Sequence, residues 1–316
     1  MMPQPKLDPR ESHHLVPSHH PGLRLFLRHL GPERPAPSPR VVLYLHGATF
    51  PSALSIAHRF DGRSWRDSLV AAGFEVWGLD LHGFGGSDPQ PELALPAEVG
   101  EAVGRADDAV RQVERAVAFI AARHGVGRVS LVAHSWGTMA AGRFAGCRPE
   151  RVERLLLFGP IARRSGAAEA PRLPAWRLVT VEQQWQRFVQ DTPAGQAPVL
   201  LRRHFEPWAE RWLDSDPQSR ARTPPAVRVP AGPAQDIAEA WAGRLAWDPG
   251  LVRAPTAILR GRWDSLSTAA DARSLLEALS AVPQKRDLAI PDGGHLLHLE
   301  EGRHALHAAA EAFLLG

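Results

Sequence analysis

The sequence predicts a doubly wound α/β fold, a mostly parallel sheet between helices, interrupted by a long helical insertion. Three observations predict it. Short apolar runs of strand length alternate with amphipathic helical stretches, the pattern of βαβ units. The run 41–45 is apolar at every position rather than every second one, as a strand covered on both faces requires, 152–158 reads as another buried strand, and 74–79, 128–133 and 256–260 are further runs of strand length. Between 160 and 249 this rhythm stops, and helical segments punctuated by proline take over.

Each element has its own signal. Residues 1–20 are polar and read as a flexible arm, and its His13, His14, His19 and His20 read as tail histidines rather than metal ligands. The run 22–30 alternates enough for an early strand. Prolines make 33–39 a loop, because proline cannot sit in a central strand. Strand 41–45 ends in the loop 46–51, where Gly47 allows close backbone approach. A helix over 64–72 closes at Gly73. Strand 74–79 leads into the glycine-rich turn 80–88. Helix 98–124 places Val103, Val110, Val113, Val117 and Ile120 on one face and stops at Gly125. Strands 128–133 and 152–158 follow. The insertion carries helical segments at 181–190, 198–213 and 234–244. Strand 256–260, helix 269–279, strand 285–290 and helix 297–315 complete the chain. The predicted organisation is an arm (1–20), a core domain (21–159 and 250–316) and a helical cap (160–249).

Composition narrows the class. A 316-residue chain can bury a substantial core, and 44% hydrophobic with 22% charged residues is the balance of a soluble globular protein. The net charge is only +3. All of its basic residues are arginine except Lys6 and Lys285, and they are interleaved with acids, so no stripe for nucleic acid emerges. Cys147 is the one cysteine, which rules out an intrachain disulfide and reads as a buried small hydrophobe. No apolar run approaches the ~18 residues of a membrane span. The N-terminus has no apolar segment of a secretory signal, so a cytoplasmic location is expected.

The chemistry centres on the strand that ends at Ser135. A strand that turns directly into a helix at a serine forces that serine into a strained conformation at the carboxyl edge of the sheet. Residues two before and two after must be small, and they are Ala133 and Gly137. The Trp136 N–H, at the start of the helix, can donate to an oxyanion. A serine hydroxyl needs a base, usually a histidine oriented by a carboxylate. In this topology the partners follow in the order serine, acid, histidine, on loops after the last strands. Asp264 and His295 stand at those two strand ends. Ser135 is therefore assigned as nucleophile, His295 as base and then acid, and Asp264 as the group that orients it. A second oxyanion donor belongs in the loop after strand 41–45. Ala48 N–H is the first choice and Thr49 the fallback.

Nearby rivals have plainer readings. His298 falls on a helix face one turn beyond His295. Asp292 shapes a glycine turn. His134 points away from its neighbour Ser135. Asp80, His82 and Asp88 structure their own loop.

The motifs HGATFP (46–51), DLHGFGGSD (80–88), AHSWG (133–137), GRWD (261–264) and GGHLLHLE (293–300) resemble the α/β-hydrolase superfamily, over residues 22–316. The departures are Ala133 for the first elbow glycine and His82 where arginine or proline is common. The resemblance implies a sheet of about eight strands, a Ser-His-Asp triad, a cap after the sixth strand, and neither metal nor organic cofactor.

Six of the ten tryptophans fall in the insertion, which suggests a mostly apolar pocket. Trp185, Trp208 and Trp212, with His46 and Thr49, are the candidate substrate contacts. The expected function is hydrolysis of a small or medium, partly apolar carboxylic ester, lactone or thioester. Alternatives are an aminopeptidase similar to proline iminopeptidases, carbon–carbon bond hydrolysis, acyl transfer, and a non-catalytic binder. The aminopeptidase would need acids for the substrate amine, and Glu182, Glu206, Glu210, Asp236 and Glu239 are available. Epoxide hydrolases resemble this fold but carry aspartate at the position of Ser135. The expected partner is a small molecule, and the sequence is silent on oligomeric state.

Overall fold

The computed structural model describes residues 4–34, 36–165 and 169–316. The expectations for 1–3, 35 and 166–168 lie outside the described residues. The strands are β1 (Ser12–Pro17), β2 (Arg24–Leu30), β3 (Arg40–Leu45), β4 (Phe74–Asp80), β5 (Val129–His134), β6 (Val152–Phe158), β7 (Trp176–Thr180), β8 (Ala226–Pro230), β9 (Thr256–Gly261) and β10 (Lys285–Ile290). The helices are α1 (Trp65–Ala71), α2 (Ala106–His124), α3 (Gly137–Cys147), α4 (Val181–Val189), α5 (Arg202–Leu213), α6 (Gly232–Trp241), α7 (Ala269–Ala278) and α8 (Arg303–Leu315).

Eight strands form one sheet in the order β1-β2-β4-β3-β5-β6-β9-β10. β1–β2 and β2–β4 pair antiparallel, and the remaining neighbours pair parallel. Side chains on β3 show why its sequence is apolar throughout. Leu43 and Leu45 join the cluster under α2 and α3, whereas Val42 and Tyr44 join the one under α1 and α8. After β3 the chain places β4 on one side and β5 on the other. Their carboxyl ends therefore flank a crevice, the usual ligand site of an open α/β sheet.

Residues 12–17 correct the expected arm. They form edge strand β1, with Leu15 opposite Phe26. Its histidines are partnered too: His13 bonds Glu11, and His19 and His20 bond Asp108 Oδ1 at 2.8 and 2.6 Å. Helix α2 starts at Ala106 rather than 98, because Gly100 and Gly104 take φ of +103° and +77°, outside the helical region. Helix 297–315 is split into a single turn at Leu297–Leu299 and α8. Cys147 is exposed, not buried, because it ends α3 at the rim of the core.

The segment between β6 and β9 holds α4, α5 and α6, as its proline-punctuated pattern indicated. It also holds β7 and β8, which pair antiparallel as a separate two-stranded sheet. No described helix is long and apolar enough to cross a membrane.

Candidate active site

The turn from β5 into α3 places Ser135 at φ +55°, a left-handed conformation that an L-residue adopts at a cost of ~1–3 kcal/mol. Its surroundings hold it there. Ser135 N–H donates to Phe158 O at 2.9 Å, and Thr138 Oγ1 donates to Ser135 O at 2.5 Å. Gly137 is obligatory, since a Cβ there would lie 2.4 Å from His46 O. Ala133 is fully buried, and its methyl group fits where the family pattern has glycine.

From this turn a chain of hydrogen bonds runs through three elements. His295 Nε2 lies 2.7 Å from Ser135 Oγ. His295 Nδ1 lies 2.9 Å from Asp264 Oδ2 and 3.0 Å from Oδ1. Asp264 Oδ1 also accepts the Leu266 and Ser267 N–H groups, each at 2.9 Å. Burial pushes the Asp264 carboxyl up, but His295 and those two peptides outweigh it, and its pKa falls below the ordinary value. With Nδ1–H committed to the carboxylate, Nε2 is left to accept from the serine hydroxyl.

On the β3 side of the turn, Gly47 packs against the elbow, where a Cβ would lie 3.3 Å from Ser135 Cβ. Ala48 is half-buried in the loop that follows β3, and Trp136 is buried at the start of α3. His46 is a brace, in contrast to its expected substrate role. It is fully buried; Nδ1 bonds Gly47 O at 2.8 Å, and Nε2 accepts Leu81 N–H at 3.1 Å. Burial lowers its pKa, in keeping with this neutral tautomer.

Trp208 and Trp212 are likewise committed. Both are fully buried, and their indoles donate to Leu54 O and Thr49 O at 2.9 and 3.0 Å. They strap α5 onto the loop beyond Ala48, with Phe50, Phe188 and Phe205 filling the same cluster. Trp185 is half-buried, 5.0 Å from the Phe205 ring centroid and under the Arg202 guanidinium.

Among the described residues, none of the rivals hydrogen-bonds Ser135 Oγ. His134 faces away from Ser135, donating Nε2 to His295 O at 3.0 Å while stacking on Phe158. His298 is buried beside His134 and Phe158 rather than on Ser135. Asp80 holds Ser52 and Gly86, and Asp88 pairs with Arg24. Asp292 shapes its turn at φ +53°.

A sequence model of the alpha/beta hydrolase fold matches residues 40–302. The chain belongs to the alpha/beta hydrolase family. Among curated proteins, an epoxide hydrolase 2 from Siraitia grosvenorii is 32% identical over 121 residues, covering 36% of this chain and 30% of the relative. Solved structures cover nearly the whole length. A thioesterase domain from the curacin biosynthetic pathway superposes with a TM-score of 0.61 at 16% identity, over 97% of this chain and 99% of that one. An esterase from Thermogutta terrifontis gives 0.60 at 19% identity, over 96% and 98%. An epoxide hydrolase from Vigna radiata gives 0.61 at 15%, over 97% and 98%. Identities this low speak for the alpha/beta hydrolase fold alone.

Sequence reasoning missed two acids around this alpha/beta hydrolase site, Asp191 and Glu300, and gave a third, Asp236, a different role. Asp191 accepts the His295 peptide N–H at 3.0 Å, and Glu300 accepts that of Gly294 at 2.8 Å. Asp236 accepts the Trp136 indole N–H. Glu300 lies close enough to His295 in sequence to have been suspected. Asp191 and Asp236 lie in the insertion, where no strand-end rule applies.

Proposed function

We propose that the protein is a serine hydrolase of small or medium, partly apolar carboxylic esters, lactones or thioesters. The observation that carries this is the hydrogen-bonded chain Ser135–His295–Asp264 at an elbow serine with φ +55°. Ser135 Oγ attacks the carbonyl carbon and passes its proton to His295 Nε2. The Trp136 and Ala48 N–H groups stabilise the oxyanion. His295 then protonates the departing alcohol or thiol. In the second half-reaction it takes a proton from water, which cleaves the acyl-enzyme. Asp264 keeps the imidazole in the tautomer that both steps need.

Residues 160–249 serve as a cap in this reading. Ser135, His295 and Asp264 are 5%, 3% and 3% exposed, so substrate enters when the cap shifts, and its return excludes water from the first step. Chemistry argues against epoxide opening. A serine attacking an epoxide would form an ether, which a histidine base does not hydrolyse; a carboxylate nucleophile is needed. Four of the five acids open to the aminopeptidase reading are engaged by arginines, and the fifth, Glu206, is exposed on α5. Asp236 and Glu239 pair with Arg105, Glu182 with Arg202, and Glu210 with Arg220.

Initial rates on aryl esters of increasing chain length, a lactone and an N-terminal prolyl amide test the proposal, with Ser135→Ala beside wild type. Ester or lactone turnover that disappears in the variant is the expected result. Turnover that survives in Ser135→Ala, or that is confined to the prolyl amide, overturns it.

A further inference from the structure

The peptide of His295 is held at both ends. His134 Nε2 donates to its carbonyl at 3.0 Å, and Asp191 Oδ2 accepts its N–H at 3.0 Å. Of these two partners, His134 belongs to β5 and Asp191 to the insertion, two residues beyond the end of α4.

Asp191 has a second attachment. Its Oδ1 accepts Ser265 Oγ at 2.5 Å, and Ser265 directly follows Asp264. One carboxylate thus bridges the loop that carries Asp264 and the loop that carries His295. Its side chain is only 3% exposed, with Arg187, one turn earlier on α4, 3.5 Å away. The close seat depends on Gly294, where a Cβ would lie 3.0 Å from Asp191 Cβ.

We infer that Asp191 is a positioning residue that makes alignment of the general base depend on the insertion being seated on the core. The inference rests on the serine hydrolase reading. When α4 lifts, Asp191 leaves both loops together. His295 then keeps its carbonyl anchor and loses its N–H anchor, and its ring has freedom that a transition state for serine attack cannot use. Acylation is therefore competent only with the insertion closed, the arrangement by which closure is coupled to assembly of a catalytic site.

The test measures phosphonylation of Ser135 by an aryl fluorophosphonate, with kcat and KM on an aryl ester, for wild type, Asp191→Ala and Asp191→Asn. Wild type labels at Ser135. Asp191→Ala loses roughly 10- to 100-fold in kcat and in labelling rate, with KM changed less than about threefold. Asp191→Asn retains an acceptor oxygen for the His295 N–H and recovers most of the loss. Should Asp191→Ala be unfolded by circular dichroism, Ser265→Ala carries the test. It frees Asp191 from the Asp264 loop and slows labelling severalfold. Equal labelling of wild type and the Ala variants overturns the positioning role while leaving the serine mechanism standing. A rise in KM alone does the same. Wild type that does not label at Ser135 overturns the mechanism, and this inference with it.

Discussion

Trp136 donates its indole N–H to Asp236 Oδ2 at 2.9 Å, tying the residue after the elbow serine to α6 of the insertion. Asp236 also receives the Ala106 N–H at 2.7 Å, an otherwise unpaired donor in the first turn of α2, and pairs with Arg105. Its carboxylate is almost fully buried. Asp236→Ala should therefore cost about 2–4 kcal/mol, since three donors lose one acceptor. Trp136→Phe should cost about 1 kcal/mol, the net value of one hydrogen bond. Urea unfolding midpoints check both, and the double variant should fall short of the sum because the two share a bond.

Asp264→Asn should leave the fold intact and lower kcat by about 10³–10⁴-fold. An amide that donates to His295 Nδ1 leaves that nitrogen as the acceptor. The proton then sits on Nε2, which can no longer take one from Ser135. Ester turnover and the fluorophosphonate labelling rate should fall together, while thermal unfolding changes little. A variant with near-normal turnover would show that another group orients the imidazole.

Glu11, in the segment expected to be an arm, is fully buried against the guanidinium groups of Arg28 and Arg66. Burial pushes the Glu11 carboxyl up, but His13, Arg28 and Arg66 outweigh it and hold its pKa at about 2. Its folded value is depressed, so this stability is present above the ordinary 4.5 and is lost as pH falls from there toward about 2, some ~3 kcal/mol in all. Deleting residues 1–17 should therefore not be neutral. It strands two buried arginines, a loss of about 3–5 kcal/mol, and uncovers the edge of β2. Glu11→Gln should reproduce much of the destabilisation at neutral pH and flatten the acid limb of the unfolding curve.

The pattern of legibility follows from where the chain is punctuated. Ser135, Asp264 and His295 could be nominated from sequence because each stands in the turn just beyond a strand, within three residues of a glycine: Gly137, Gly261 and Gly294. β1 was not, because Ser12–Pro17 sets two adjacent histidines before two adjacent aliphatic residues, with no period-two pattern, and ends in proline, so its pairing is decided by Glu11 and Arg28 rather than by local propensity. The tryptophans of α5 were visible as a group, but only three-dimensional packing shows that Trp208 and Trp212 spend their N–H groups on the core backbone. Asp191 and Asp236 bond groups roughly a hundred residues away, and no spacing rule reaches across an insertion.

Glu300, beside His295, is a second carboxyl whose burial makes stability depend on pH. Burial, with the negative charges of Asp191 and Asp264 adding to it, pushes its carboxyl up to about 8, so it is neutral at pH 7 while one oxygen accepts the Gly294 N–H. Here the folded value lies above the ordinary 4.5, so the native state holds a proton that the unfolded chain has released. That stability is intact below 4.5 and is lost as pH rises toward about 8. Glu300→Gln keeps an acceptor for Gly294 and removes the ionisation. The variant should match wild type within about 1 kcal/mol near pH 5 and exceed it by more than about 1 kcal/mol near pH 9. Urea unfolding at the two pH values decides it: parallel wild-type and variant curves would mean that Glu300 ionises without cost in the folded protein.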